Sequence, residues 1–303
     1  MQTQGRNTWL TPVAFIAPAL ILYLVLTIVP LVTVFFYGTQ EFEGAARRGF
    51  VGFANYTRLI NSPTIAPQIW QAFLNNWAFF IGTLAVQNTL GLGLALLVAR
   101  TDGGRRFFQT IIAIPFLVNP LVVGYVWTLL LNPNFGPVAQ MLDGMGRPDL
   151  IRPWLGEPAL ARPITILINA WQWVGFPMLI FGAALGSIPN EINEAARLDS
   201  DRRWPIFRSI TLPLLMPAIG TVTVLTFIGC FNAFNLQFAV GGVNGGPAGA
   251  NDVLGLVFYR LAFSGDLNSI GISSALATTT FAFVMIVALF LRRMLARIEE
   301  AVT

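Results

Sequence analysis

The charged residues of this chain are placed so that six long stretches contain none at all. Uncharged runs of 34 residues separate Arg6 from Glu41, 41 separate Arg58 from Arg100, and 36 separate Arg106 from Asp143. Further runs of 28, 43 and 25 residues lie between Arg162 and Glu191, Arg208 and Asp252, and Asp266 and Arg292. A helix needs roughly 20 predominantly apolar residues to cross a bilayer, and one charge at its centre costs roughly 2.5–3.5 kcal/mol on the insertion scale. Only 11% of the 303 residues are charged and 55% are hydrophobic, against roughly 25% charge in soluble domains, so this apolar surface exceeds what a soluble core can bury. The pattern predicts an all-α polytopic membrane fold, a single transmembrane domain over 1–303 with six helices near 12–38, 70–99, 108–131, 164–187, 212–236 and 268–291. The runs are continuous rather than alternating at about ten residues, which argues against a β-barrel. Pro18, Pro30, Pro115, Pro120, Pro177 and Pro217 fall within or near these segments, where neighbouring helices can satisfy the freed carbonyls.

Arginine bias sets an expected orientation. With a cytoplasmic N-terminus, inside segments hold 11 arginines and outside segments 7, so both termini are expected in the cytoplasm. The first run is too long for the apolar core of a signal peptide and lacks an obvious small-residue cleavage site, which favours a retained helix.

The missing residue types exclude chemistry. All 18 basic side chains are arginine, and there is no histidine. A P-loop needs a lysine to reach the nucleotide phosphates, so the chain holds no such ATP site. Pyridoxal Schiff bases, histidine-based triads and histidine-rich metal sites are likewise excluded, and the expectation is no metal and no cofactor bound by this chain. The single cysteine, Cys230, lies in an apolar run and reads as a small buried hydrophobe. The net charge of +4 resides in short arginine clusters between uncharged runs, the pattern of membrane flanks rather than of a nucleic-acid surface. Asn55-Tyr-Thr57 fits a glycosylation acceptor pattern, read here as coincidence.

One connecting segment, 188–213, is unlike the others. Asn190 can cap a short helix over 191–199, with Glu191 and Glu194 in its early turns. Ile192, Ala195, Ala196 and Asp199 share a face of small residues. Ser200-Asp201 can break this helix and Pro205 can begin a second, on which Trp204, Phe207 and Ile210 supply an apolar face. Such an element suits docking into a groove on another protein, or lying among lipid headgroups, and physical chemistry alone leaves both open.

The stretch Glu194-Ala195-Ala196 through Ile210-Thr211-Leu212-Pro213 resembles the EAA loop of binding-protein-dependent ABC importer permeases, matching at EAA, Ile210, Leu212 and Pro213; the family usually has glycine where Ser200 stands. Further pieces extend the resemblance along the chain to the carbohydrate branch, the maltose-type F permease: Phe50-Val-Gly-Phe-Ala-Asn55-Tyr56, Ala72-Phe-Leu-Asn75, Leu90-Gly-Leu-Gly-Leu-Ala95, Gly124-Tyr-Val-Trp127, Gly175-Phe-Pro-Met178, Gly245-Gly246-Pro247 and Tyr259-Arg-Leu-Ala-Phe263. The resemblance implies a type I ABC importer in a bacterial inner membrane. A second permease completes a heterodimer, two copies of an ATPase carry ATP and Mg, and a periplasmic or lipid-anchored binding protein delivers a sugar or sugar-like solute. It further implies ATPase coupling through Glu194, Ala195, Ala196, Asp199, Ser200, Arg203 and Phe207, with Glu194 pairing an arginine of the ATPase. Arg197, Arg202 and Arg203 can equally anchor to headgroups.

Amides and aromatic faces bind sugars, and polar side chains within membranes usually face the protein interior. That makes Asn119, Gln172, Trp173, Asn232, Asn235 and Gln237 candidates for a solute pathway, although such groups also join helices. Trp127 and Trp171 read as packing or interface residues. Two competing readings are a secondary transporter or channel, disfavoured by the charge-free spans, and a membrane enzyme, disfavoured by the scattering of Glu41, Glu43, Asp143 and Glu157.

Overall fold

The structure, a computed structural model, describes residues 10–101, 103–199, 202–263 and 269–302. Along the chain, α1 (Leu10–Tyr23), a π-turn (Leu24–Ile28) and α2 (Val29–Gly38) form the first long helix, followed by the strands β1 (Gln40–Glu43) and β2 (Ala46–Phe50) and by α3 (Ala54–Asn61). The second span is α4 (Ala66–Thr83), a π-turn (Leu84–Asn88) and α5 (Thr89–Ala99). Next come α6 (Arg105–Ala113), a 3-10 turn (Ile114–Leu117), α7 (Pro120–Leu130), α8 (Pro137–Gly144), α9 (Pro158–Trp173) and α10 (Gly175–Gly186). The remainder is α11 (Asn190–Asp199), α12 (Arg203–Ile206), a π-turn (Phe207–Thr211), α13 (Leu212–Phe231), α14 (Asn235–Gly241), α15 (Leu254–Phe263) and α16 (Ser269–Val302).

Among the described residues, four helices are long and apolar enough to cross a membrane: Pro12–Gly38, Ala66–Ala99, Arg203–Phe231 and Ile270–Leu295. Two more crossings are bent pairs, Arg105–Leu117 with Pro120–Leu130 at 92° and Pro158–Trp173 with Gly175–Gly186 at 48°. The all-α class holds, with one short hairpin added.

The prolines explain both the continuity and the breaks. Proline cannot bond to the carbonyl four residues back and crowds it. Pro30 and Pro213 each follow a π-turn by two residues, and in both places the helix runs on. Around Pro115 and Pro120 it does not. Val118 and Asn119 are extended, as residues preceding proline tend to be, and Asn119 caps α7 by accepting from Leu121 N at 2.9 Å. Pro177 stands four residues after Trp173, where α9 gives way to α10.

The described chain forms two compact units. The first comprises Met1–Ala66 and Phe258–Phe281. Here Asn55, 1% exposed, donates from Nδ2 to the carbonyls of Gly38 (3.0 Å) and Gln40 (2.8 Å), so α3 is tied to the end of α2 and the start of β1. Tyr37 meets Phe42 and Phe35 meets Phe281 edge to face. Buried Asn55 cannot accept a glycan.

The second unit comprises Pro67–Val257 and Ala282–Thr303. Trp77, Phe227, Phe231 and Phe283 build an aromatic cluster with ring centroids 4.6–6.4 Å apart. Helices α5 and α10 approach closely: a Cβ on Gly91 would come within 2.8 Å of Pro177, and Ala95, Val98, Met178, Phe181 and Val222 fill the contact. Buried Asn75 donates to the carbonyls of Gly249 (2.9 Å) and Asp252 (2.8 Å), while Arg162 bonds Asn75 Oδ1 (2.6 Å) and the Ala250 carbonyl (3.0 Å). The 72–75 motif thus belongs to a polar knot that clamps residues 249–252 of the glycine-rich loop between α14 and α15.

Candidate functional site

Within the second unit, the chain leaves helical geometry at 118–119, bends by 48° at Val174 and leaves helical geometry again at 232–234, and residues flanking all three places line one cavity of about 420 Å³. Pro120 comes from the first break, Trp173 and Phe176 from the second, and Asn232, Ala233, Phe234 and Asn235 from the third. Thr83 and Gln87 of the second span complete the wall, Gln87 from its π-turn. Irregular backbone at membrane depth is tolerated only where protein buries it or a cavity needs it. Two of these places have a side-chain hydrogen-bond solution. Gln172, fully buried, donates to the freed Val118 carbonyl at 2.8 Å. Asn76 donates to the Cys230 carbonyl at the end of α13 (2.8 Å) and accepts from Leu254 N (2.9 Å). That capping ends the fifth span at Phe231, before the expected 236.

Of the expected pathway residues, Trp173, Asn232, Asn235 and Gln237 line the cavity. Asn119 and Gln172 do not: both are committed to the backbone at the first break, one as a helix cap and the other as donor to an orphaned carbonyl. Sequence reasoning missed Gln87 and Asn169, which face the cavity and bond to each other, Asn169 Nδ2 donating to Gln87 Oε1 at 3.1 Å. Their signal was available, since amides within a charge-free run are the polar groups a span retains for a reason. Gln237 is 2% exposed, and its Nε2 has no hydrogen-bond partner among the described residues. A buried donor without an acceptor is costly. Trp127 and Trp171 pair edge to face at 5.6 Å, a packing role.

The second candidate region is the segment 188–213. On α11, Glu191, Glu194, Ala195 and Leu198 are exposed, Leu198 at 90%. Ala196 is only 5% exposed, so it is already buried within its own chain and offers no surface to a groove; the small-residue face is narrower than the sequence suggests. On the opposite side of α11, Leu198 is an exposed apolar group that the motif does not mark. The side chain of Asp199 and the whole of Ser200, both proposed for coupling, lie outside the described residues. Arg203 is exposed, and Trp204, 67% exposed, stacks on Phe207 at 5.6 Å. Pro205 occupies the third position of α12 rather than the first, and α12 continues through the π-turn into α13. Arg203–Phe231 is therefore one helix of 29 residues, whose far end supplies Leu225, Thr226, Ile228, Gly229 and Cys230 to the cavity. Glu194 and Arg197 also line a groove of about 530 Å³ with Arg100 and Arg105, the latter bonded to the Gly182 carbonyl near the end of α10.

Helices that cross, bend and break around one cavity with amides in its wall put the chain among polytopic membrane proteins. It belongs to the family of binding-protein-dependent transport system inner membrane components, whose model matches residues 88–299. It is 30% identical over 88% of its length to the probable ABC transporter permease protein YurN of Bacillus subtilis, covering 89% of that protein. With the trehalose/maltose transport system permease protein MalF of Thermococcus litoralis it shares 29% identity, covering 89% of this chain and 88% of the relative. A solved bacterial alginate ABC transporter, in complex with its alginate pentasaccharide-bound periplasmic protein, contains a chain that superposes with a TM-score of 0.80 at 25% identity, over 97% of this chain and 96% of that one. The protein is thus a multi-pass membrane permease of the ABC importer family, a transport component rather than a catalytic one.

Proposed function

We propose that this chain is one of two permease subunits of an ATP-driven importer for a sugar or sugar-like solute, with the cavity as its share of the pathway. The reading rests chiefly on one observation: a single helix, Arg203–Phe231, joins an exposed amphipathic segment to the cavity wall. At 1.5 Å per residue it is roughly 43 Å long, enough to carry motion across a bilayer. Trp173 and Phe234 offer aromatic faces and Asn232, Asn235 and Gln237 offer amides, the pairing that suits polyhydroxylated solutes. Relatives named for maltose, trehalose and starch degradation products support the solute class.

In this mechanism α11 and α12 face the cytoplasm, as do both termini, and an ATPase carrying ATP and Mg docks on the Glu191–Glu194–Leu198 face. Closure of the paired ATPases would move each such segment as a lever and rock the helices between two access states. An external binding protein delivers the solute. The exposed carboxylate of Glu194 is the natural partner of a cation on the ATPase.

Replacing Glu194 by Lys tests the coupling. The permease is expected to reach the membrane at normal levels, lose its ATPase in co-purification, and support no uptake. Normal co-purification with normal ATP-coupled uptake would overturn the assignment of α11.

A further inference from the structure

The groove of about 530 Å³ beside α11 lies where crossing segments have their ends: after Ala99, before Arg105, after Gly186 and in the early turns of Arg203–Phe231. Its lining is split in character. Leu96, Leu185 and Ile188 are apolar, whereas Arg100, Arg105 and Arg197 set three guanidiniums against the one carboxylate of Glu194. Arg105 donates to the Gly182 carbonyl at 3.3 Å, which fixes its head at the groove. Among the described residues, none of the three guanidiniums belongs to an ion pair. Like charges converging on a partly apolar groove repel one another until an anion joins them. We propose that the groove is a phosphate site, in which Arg100, Arg105 and Arg197 together hold one phosphate group. A guanidinium suits this group because its planar fork donates parallel N–H bonds to two phosphate oxygens. Apolar residues beside the cations suit the phosphodiester of a membrane lipid, and basic pockets between spans at the membrane surface take such headgroups. The depth agrees, because crossings end at the level of a leaflet's headgroups.

The three arginines come from three elements. Arg100 closes α5, Arg105 begins α6 and Arg197 lies on α11. Ala196 is the one buried side chain among the described ones of α11, so little else ties that helix down. A phosphate in the groove therefore bridges α11 to the ends of α5 and α6. Glu194 opposes it, since its carboxylate repels the phosphate and competes for the same guanidiniums. Turning Glu194 outward to a partner leaves all three to the anion, and by linkage the bound anion favours that outward state. This last consequence rests on α11 being the docking segment.

The test titrates the full-length chain, stripped of lipid in detergent, with dioctanoyl phosphatidylglycerol and separately with inorganic phosphate. Native mass spectrometry counts the bound molecules, and hydrogen exchange follows the amides of α11. The native chain should hold one molecule more tightly than any other, with exchange over α11 slowed several-fold. Arg197→Gln should weaken that molecule about ten-fold, the worth of one charge-assisted hydrogen bond, and Arg100→Gln/Arg197→Gln should weaken it further. Both side chains are exposed, so neither change threatens the fold. Glu194→Gln should act in the opposite direction and tighten the site. Phosphatidylglycerol that inorganic phosphate cannot displace makes the lipid the source, whereas tight binding of inorganic phosphate alone makes it the free anion. Binding of both probes unchanged by the two arginine substitutions, or α11 exchange indifferent to either probe, would overturn the site. An arginine-dependent site in a chain whose Glu194→Lys variant still docks its ATPase would leave the phosphate in place and remove only its link to docking.

Discussion

Gln237 has a buried donor that the rest of the protein does not use, at an energetic cost it keeps. An unsatisfied buried polar group costs about 1–3 kcal/mol, so Gln237→Leu, similar in size and apolar, should stabilise the isolated permease by about 1 kcal/mol. Uptake should fall about ten-fold, the worth of one good hydrogen bond. Thermal melts of the solubilised complex and initial uptake rates read the two effects, and a simultaneous loss of stability and transport would make Gln237 a packing residue instead. Asn75 makes the opposite case. Its side chain satisfies the carbonyls of Gly249 and Asp252 and is itself held by Arg162. Asn75→Ala orphans those groups and should destabilise by about 2–3 kcal/mol. Arg162→Lys should not substitute for the native arginine, since a lysine cannot make the same two-point contact to Asn75 and Ala250. A melt unchanged by Asn75→Ala would contradict the knot.

At the scale of elements, the helix Arg203–Phe231 walls the cavity at one end and, in the proposed mechanism, docks the ATPase at the other. The two roles should separate by mutation. Two glycines inserted into the π-turn Phe207–Thr211 make the joint pliable and leave Glu194, Leu198 and Trp204 in place. The ATPase should still co-purify, but its hydrolysis should no longer drive uptake. Retained uptake would show that the joint transmits nothing. Elements are also where sequence reasoning both succeeded and failed. Charge-free runs located the crossings because the cost of a buried charge depends on composition alone. Helix breaks depend on what satisfies a freed carbonyl, and that partner lies elsewhere in the chain. Pro30 and Pro213 follow π-turns within unbroken helices, whereas Pro120 begins a new one, where Gln172, 54 residues beyond Val118, donates to the freed Val118 carbonyl. The same dependence leaves Gln172 and Asn119 out of the cavity lining and brings Gln87 into it. The hairpin at 40–50 had no alternating apolar pattern to announce it, and its burial falls on Gln40 and Phe42 alone.

At the scale of the whole molecule, the EAA resemblance marks the segment 188–213 but not the surface that segment presents. Which side of α11 is free depends on how the helix packs, and burial of Ala196 beside exposed Leu198 is a tertiary fact. The charge-free cavity bears on the competing secondary-transporter reading as well. Coupling to protons or cations ordinarily employs an intramembrane carboxylate, and among the described residues the lining contains none. The decisive measurement is uptake of radiolabelled neutral sugar, presented with its binding protein, into proteoliposomes containing either the full complex or this chain alone. Uptake should require the full complex with ATP and Mg at the ATPase face, and Glu194→Lys should abolish it. Uptake by this chain alone, driven by a proton gradient without ATP, would contradict that.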